Sequence, residues 1–135
     1  MLQELNVPRA EYETMLRHLQ DAYPLEACGI LAGSKGDVFR LYAVDNHLRS
    51  PVAFEMDPRQ QLEAMLDLED AGLQLVAIYH SHPNGPQTPS PTDVAQAFYP
   101  NAAQVIVSLA DRQRPVARAF MIRDGRVHEI ALNIV

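Results

Sequence analysis

Two histidines and an aspartate stand out in the segment HSHPNGPQTPSPTD, which covers residues 80–93. His80 and His82 are two residues apart, so on an extended segment their side chains point to the same face. Asp93 follows a loop in which four prolines restrict the backbone by fixing φ. Two imidazoles and one carboxylate are a donor set that suits Zn²⁺. The spacing therefore predicts a metal site in which His80, His82 and Asp93 hold one ion.

Three protein ligands are typical of a catalytic zinc, because the fourth tetrahedral position stays open for water. Bound zinc lowers the pKa of that water to about 7. Such a centre needs a carboxylate that is not a ligand, to take the proton and pass it to the leaving group. Glu26 is the best candidate, since it lies at the edge of a predicted strand. Ser90, three residues before Asp93, can donate its hydroxyl to the oxyanion of a tetrahedral intermediate.

Each of these residues also has a simpler interpretation. A single His-x-His pair is more often formed by surface or helix-capping histidines than by metal ligands. Asp93 and Ser90 can belong to a helix N-terminus only, and an isolated glutamate such as Glu26 is usually exposed. The spacing alone thus predicts a mononuclear zinc hydrolase and no narrower function. The other histidines are interpreted as non-ligands and the cysteine as a buried structural thiol: His18, His47, His128 and Cys28.

Helices and strands must hold these side chains, and the hydrophobic pattern predicts an alternation of the two. Amphipathic helices are predicted over residues 9–22 and 59–72, and a third one over 92–99. A continuous apolar run over 73–82 predicts a buried central strand that carries the histidines at its end. The fold class is therefore α/β in the broad sense, a mixed β-sheet flanked by helices. Further strands are predicted over 28–33, 38–44, 104–109, 116–122 and 127–131, with a possible short strand at 52–56. Hairpin turns are predicted at SKGD, between the first two of these, and at Arg-Asp-Gly, between the last two.

Length and composition restrict the classes of protein. With 135 residues, of which 47% are hydrophobic and 21% charged, the chain is expected to form a single globular domain over 1–135. A net charge of -6 argues against a nucleic-acid partner and against a polybasic membrane anchor. The single cysteine, Cys28, rules out an internal disulfide and predicts a cytoplasmic location. We expect neither a signal peptide nor a membrane-spanning segment.

The arrangement of these residues resembles a known signature. Residues 80–83 (HSHP), a spacer of six residues and residues 90–93 (SPTD) are similar to the H-x-H-P-x6-S-x-x-D signature of the JAMM (MPN+) metallopeptidases. The family's upstream glutamate, set before a Cys-Gly pair and two hydrophobic residues, is matched by EACGIL at 26–31. The resemblance covers most of the chain and extends to Asn46, to FEMDP at 54–58 and to Tyr79.

The resemblance implies a fold and a role for each site residue. It implies a cytidine-deaminase-like JAMM/MPN core, although the paired cysteine ligands of the deaminases are impossible with one cysteine. By resemblance, His80, His82 and Asp93 correspond to the ligands of one Zn²⁺ per chain. Glu26 corresponds to the general acid/base and Ser90 to the serine that stabilises the oxyanion.

The resemblance also implies an activity. Family members hydrolyse the peptide or isopeptide bond after the C-terminal Gly-Gly of ubiquitin or a ubiquitin-like protein. The chain is near the minimal length of the core, so it resembles the free-standing prokaryotic branch, which is linked to sulfur-carrier proteins. The expected function is that of a zinc-dependent metallopeptidase or isopeptidase. Its expected partner is a ubiquitin-like or sulfur-carrier protein with a Gly-Gly tail.

Two other functions are compatible with the same residues. A non-catalytic binding module would use the groove to hold a ubiquitin-like tail, and a lack of stoichiometric zinc would favour it. A RadC-like protein acting near DNA has a similar HSHPNG loop. However, the acidic net charge and the short segment ahead of His80 leave little room for a DNA-binding part. Salt-dependent DNA binding would be the signature of that function.

Overall fold

The computed structural model describes residues 1–135 and contains seven strands and three helices, with the helices interspersed among the strands. None of the helices has both the length and the apolar character needed to cross a membrane. The helices are α1 (Arg9–Ala22), α2 (Pro58–Asp70) and α3 (Pro91–Ala95). The strands are β1 (Glu4–Val7), β2 (Cys28–Ser34), β3 (Asp37–Val44), β4 (Gln74–His82), β5 (Ala103–Ser108), β6 (Val116–Arg123) and β7 (Arg126–Ile134).

All seven strands belong to one sheet in the order β1-β3-β2-β4-β5-β6-β7. Strand β1 also pairs in parallel with β7, and this pairing closes the sheet on itself. Strand β4 lies in the middle, antiparallel to β2 and parallel to β5. The predicted α/β fold with a mixed sheet and flanking helices is confirmed.

Both faces of the sheet are covered, and the two helices that cover them belong to different hydrophobic cores. Met15 of α1 packs in the same core as Tyr79 of β4. Leu68 of α2 packs in a second core together with Ile78. Because successive side chains of a strand point to opposite faces, His80 shares the α2 face with Ile78. The sheet thereby directs the histidines of β4 away from helix α1.

Two hairpins have the turns that the sequence predicts. Lys35 and Gly36 join β2 to β3 with φ of 53° and 91°, and Asp124 and Gly125 join β6 to β7 with φ of 53° and 74°. A two-residue hairpin turn with positive φ at both positions matches the right-handed twist of the flanking strands. These turns set the register of four strands locally.

Three elements differ from those predicted. Strand β1 is absent from the sequence-based prediction, because its main partner β7 lies at the other end of the chain. Helix α3 ends at Ala95 rather than at 99. The possible strand at 52–56 is wrong: only Met56 forms a bridge there, with Asn46. The backbone of this segment is held by side-chain hydrogen bonds instead.

Candidate metal centre

His80 and His82 occupy the end of the central strand β4. Both are buried, with His80 only 1% exposed, because β4 has a neighbouring strand on each side. Their Nε2 atoms lie 3.2 Å apart. The two imidazoles therefore converge on one point, as the two-residue spacing predicts.

Asp93 reaches the same point from the first turn of helix α3. Its backbone N–H donates to Ser90 Oγ at 3.0 Å, and its Oδ2 accepts from the backbone N–H of Ser90 at 2.9 Å. These reciprocal bonds form a capping box at the start of the helix. They hold the carboxylate with Oδ1 at 3.3 Å from His80 Nε2 and Oδ2 at 3.0 Å from His82 Nε2.

The three side chains form a group that can hold a metal ion. Their ligand atoms all lie within 4.8 Å of one another. His82 Nδ1 lies 2.8 Å from the carbonyl oxygen of Pro86, which can only accept, so Nδ1 carries the hydrogen. In a neutral imidazole this leaves the Nε2 lone pair free for a metal. The donor set and the tautomer both fit a zinc ion.

The charges of the group also suit a cation. Burial lowers the pKa of His80, although Asp93 opposes this effect. Burial would raise the pKa of Asp93, but the proximity of His80 and His82 outweighs burial and brings the pKa well below its usual range. Asp93 is therefore a carboxylate, and it places a partly buried negative charge beside the two imidazoles.

The aromatic ring of Phe54 covers one side of His80. The two rings stack with centroids 4.4 Å apart and an interplanar angle of 27°. His80 Nδ1 is buried and has no hydrogen-bond partner. Phe54 thus restricts the orientation of the imidazole by packing, whereas His82 is oriented by a hydrogen bond to Pro86.

Glu26 lies two residues before the start of β2 and is only 5% exposed, which contradicts the usual expectation for an isolated glutamate. Its Oε1 is buried without a hydrogen-bond partner. Burial raises the pKa of Glu26 to about 7, while the charge of His82 lowers it and that of Asp93 raises it. The next residue, Ala27, exchanges hydrogen bonds with Ser81, which stands between the two histidines, so Glu26 lies beside the metal-capable group. A carboxyl with this pKa can both accept and donate a proton near neutral pH.

A cleft of about 320 Å³ opens beside His80 and Asp93. Its walls come from β4, β5, α2 and α3 and from the segments after β3 and after α3. Mostly apolar walls with a few polar groups are typical of a binding site. Besides His80 and Asp93, the cleft is lined by apolar and aromatic side chains, three amides and one carboxylate: Leu48, Phe54, Met56, Ile78, Phe98, Tyr99, Gln61, Gln96, Gln104 and Glu55.

Sequence reasoning missed two residues that shape this site. The roles of Asn46 and Phe54 were not predicted, since both act through contacts with residues distant along the chain. The sequence did contain a signal for both residues, because Asn46 and FEMDP at 54–58 match the family. These matches lie in a segment that has no hydrophobic periodicity. His18, which was interpreted as a non-ligand, contacts the sheet, because its Nδ1 lies 2.7 Å from the hydroxyl of Tyr79.

The other residues that were interpreted as structural do not join the site. His47 and His128 are not part of the metal-capable group. Cys28 is fully buried, and burial raises the pKa of its thiol to about 12. A thiol with this pKa is protonated at neutral pH and is a poor nucleophile. The interpretation of Cys28 as a structural residue agrees with these findings.

A mixed sheet that carries a group able to hold a metal ion beside a buried carboxyl is an arrangement that suits a hydrolytic enzyme. Residues 8–123 match the model of a family described as prokaryotic homologs of the JAB domain, and the chain belongs to this family. This match confirms the family that the signature predicts.

Curated relatives and a solved structure agree with this assignment. The chain is 40% identical over 123 residues to the CysO-cysteine peptidase of Mycobacterium tuberculosis, covering 90% of this chain and 84% of the relative. It is 37% identical over 132 residues to a probable TtuB-protein conjugate cleaving protease of Thermus thermophilus, covering 97% and 83%. The solution structure of a protein from Desulfitobacterium hafniense matches with a TM-score of 0.87 and 38% identity, covering 97% of this chain and 92% of that one. The prediction of a hydrolytic enzyme is confirmed.

Proposed function

We propose that this chain is a zinc-dependent peptidase that hydrolyses the peptide or isopeptide bond after the C-terminal Gly-Gly of a ubiquitin-like or sulfur-carrier protein. One observation carries the proposal: the Nε2 atoms of His80 and His82 converge with the carboxylate of Asp93 next to the buried carboxyl of Glu26. The relatives support this activity, because one is named a peptidase and another a protease that cleaves protein conjugates.

His80, His82 and Asp93 would hold the ion. When bound, zinc supplies Lewis acidity and brings the pKa of water down to about 7. The protein prepares for the ion in two ways. The Pro86 carbonyl selects the tautomer of His82, and the capping box of Ser90 orients the carboxylate of Asp93.

Glu26 is proposed as the general acid/base. Its carboxylate accepts a proton from the attacking water and later donates it to the nitrogen of the scissile bond. A pKa of about 7 suits both steps, since the group then loses and regains a proton at little cost. Burial excludes most solvent from Glu26, so the proton moves between the reacting groups rather than to bulk water.

Ser90 is proposed to stabilise the oxyanion. Its Oγ accepts the hydrogen bond from Asp93 N–H, so an acceptor lone pair of the hydroxyl is in use while its proton is free to be donated. A hydroxyl held by a helix cap has a defined position, which makes it an effective donor to a developing negative charge. The same residue thus positions a ligand and contacts the substrate.

The cleft beside His80 and Asp93 is proposed to receive the acyl part of the substrate. A Gly-Gly end suits a passage next to buried ligands, because glycine has no Cβ and lets the substrate backbone approach closely. The apolar walls provide a surface for the side chains that precede the two glycines. We therefore expect specificity to reside mainly in the segment before the scissile bond.

Residues 1–135 are proposed to form one domain, since strand β1 near one end pairs with β7 near the other and both contribute to the same core. A cytoplasmic location is proposed for the protein. The buried, protonated thiol of Cys28 suits a reducing environment, in which disulfides do not form.

The proposal is tested by measuring zinc content and cleavage on the same preparation. The substrate is a ubiquitin-like protein that ends in Gly-Gly and is followed by a short extension. Its matched control has Ala-Ala in place of Gly-Gly. We expect one zinc per chain, cleavage after Gly-Gly only, loss of activity with a chelator and recovery on adding zinc. Tail binding without zinc or cleavage would indicate the binding module instead, and equal cleavage of both substrates would indicate a general peptidase.

A further inference from the structure

A second cavity, of about 510 Å³, lies on the Glu26 side of the site. It shares no lining residue with the cleft beside His80 and Asp93. Glu26 lines this second cavity and is absent from the first cleft. The proposed base Glu26 therefore borders a different space from the proposed ligands His80 and Asp93.

The second cavity has a negative character. Asp21 of α1, Asp45 after β3 and Asp57 before α2 line it, and Arg49 is the one lysine or arginine among its lining residues. Burial lowers the pKa of His18, whereas the charges of Asp45 and Asp21 raise it, so these two carboxylates act on the same part of the cavity.

A buried group adds an independent indication that the cavity receives a ligand. Glu26 is 5% exposed, lines the cavity and has an Oε1 without a hydrogen-bond partner. A buried carboxylate oxygen without a partner is unfavourable unless a ligand supplies the missing donor. An amine or amide N–H of a substrate is such a donor.

The chemistry of hydrolysis indicates which part of the substrate each of the two cavities receives. Water adds its oxygen to the carbonyl carbon, the C–N bond breaks, and the nitrogen leaves with the proton that Glu26 took from the water. The nitrogen must therefore lie on the Glu26 side. Positive charge develops on the nitrogen as it gains the proton, and nearby carboxylates stabilise that charge.

We infer that the cavity lined by Glu26, Asp21 and Asp45 binds the amine component of the substrate and favours components with positive charge next to the scissile nitrogen. This inference rests on the proposed function and adds a selectivity for the leaving group. Lysine-rich segments are the chemical class that fits three aspartates opposed by one arginine. Acidic leaving groups are disfavoured for the same reason.

The test compares two fusions with the same Gly-Gly acyl part, followed by Lys-Lys in one and by Gln-Gln in the other. At low ionic strength the parent protein should cleave the Lys-Lys fusion roughly threefold to tenfold faster in kcat/KM, the range of a few exposed charge pairs. Salt should reduce this preference. The double variant Asp21→Asn with Asp45→Asn should lower the preference to less than about twofold. Asn at 45 can still accept the hydrogen bond that Gln60 donates to Asp45 Oδ2 at 2.8 Å.

A matched control separates the cavity from the overall charge. Asp70→Asn with Asp124→Asn makes the same charge change at two exposed positions that do not line the cavity, and this variant should keep the preference. An equal loss in the control, or equal cleavage of both fusions by the parent, would overturn the assignment.

A binding measurement distinguishes failure of this inference from failure of the proposed function. The peptide acetyl-Lys-Lys-amide is titrated into the metal-free protein, and acetyl-norleucine-norleucine-amide serves as the neutral probe. The backbone NMR signals of Asp21 and Asp45 should shift with the first peptide and not with the second. If neither fusion is cleaved but these shifts occur, the proposed function is wrong and the cationic site stands. If the fusions are cleaved and no shift occurs, the cavity assignment is wrong.

Discussion

The side-chain amide of Asn46 donates to the backbone carbonyl of Glu26 at 3.0 Å and so links the proposed base to the segment after β3. The same Nδ2 donates to a second carbonyl, and Oδ1 accepts two backbone N–H groups. Every hydrogen bond of this amide thus orders the backbone around the site. The three further partners lie within 3.1 Å of the amide and are the Ala53 carbonyl and the N–H groups of Leu48 and Glu55.

Removal of the Asn46 amide should weaken both stability and turnover. Asn46→Ala leaves four backbone groups without this partner, and we expect a loss of about 2 to 4 kcal/mol in the free energy of unfolding. Asn46→Asp keeps the acceptor but places a carboxylate oxygen against the carbonyls of Glu26 and Ala53, so we expect a loss at least as large as for Ala and a lower kcat. Urea unfolding and kcat measurements check this. Asn84→Ala, at an exposed loop position, should change stability by less than about 0.5 kcal/mol.

The histidines should be required for metal binding and not for folding. His80→Ala or His82→Ala leaves two protein ligands for an ion that normally keeps at least three. We expect either variant to lose zinc in elemental analysis while circular dichroism shows the same secondary structure. His128→Ala, which changes an exposed histidine outside the group, should retain one zinc per chain. Full zinc occupancy in His80→Ala would remove His80 from the ligand set.

The two proposed roles of Ser90 can be separated by substitution. Ser90→Ala loses both the helix cap and the hydroxyl donor, so turnover should fall on the order of 10²-fold and zinc should bind more weakly. Ser90→Asn keeps an oxygen that can accept from Asp93 N–H but has no hydroxyl. We expect Asn to restore zinc affinity, measured by chelator competition, without restoring kcat. Recovery of kcat in Ser90→Asn would show that Ser90 acts only as a cap.

The sequence predicts those parts of the site that depend on local spacing. His80 and His82 share a face because they are two apart on a strand, and Asp93 sits next to Ser90 because a capping box spans three residues. The hairpin turns are likewise local, since Gly at the second position permits the positive φ that they need. Local rules therefore predict the proposed ligands and most of the strands.

The remaining features depend on pairs of residues that are distant along the chain. A Cβ on Gly29 would lie 2.2 Å from the ring of Tyr79, so glycine is required there by a neighbouring strand. The stacking of Phe54 on His80 and the burial of Glu26 likewise result from tertiary packing. The segment that carries Phe54 has no periodic pattern that would distinguish a strand from a loop. The possible strand predicted at 52–56 is therefore wrong.

Glu26→Gln should separate metal binding from chemistry. The amide has nearly the size of the carboxyl but cannot accept the proton of the attacking water. We expect zinc to remain at one per chain while kcat falls by about 10²-fold to 10⁴-fold, the usual contribution of general acid/base catalysis. Glu69→Gln, at an exposed position of α2 that lines neither cavity, is the matched control and should retain at least half of the parent kcat. Activity of Glu26→Gln within a few-fold of the parent would assign the base to another group.

Glu26 should also make the stability of the metal-free protein depend on pH. Burial raises its pKa from 4.5 to about 7, so the folded protein binds this proton more tightly than the unfolded chain does. Its contribution to stability is therefore full below pH 4.5 and is lost as the pH rises to about 7.

The size of the effect has an upper limit of about 3.5 kcal/mol, because the shift from 4.5 to about 7 is about 2.5 pKa units and one unit corresponds to about 1.4 kcal/mol. Glu26→Gln has no proton to lose at this position, so its stability should lack this decrease. We expect the stability of the parent relative to the variant to fall between pH 4.5 and pH 7.5, measured by urea unfolding with a chelator present. Parallel pH profiles for the two proteins would mean that Glu26 is ionised in the folded state as readily as in the unfolded chain.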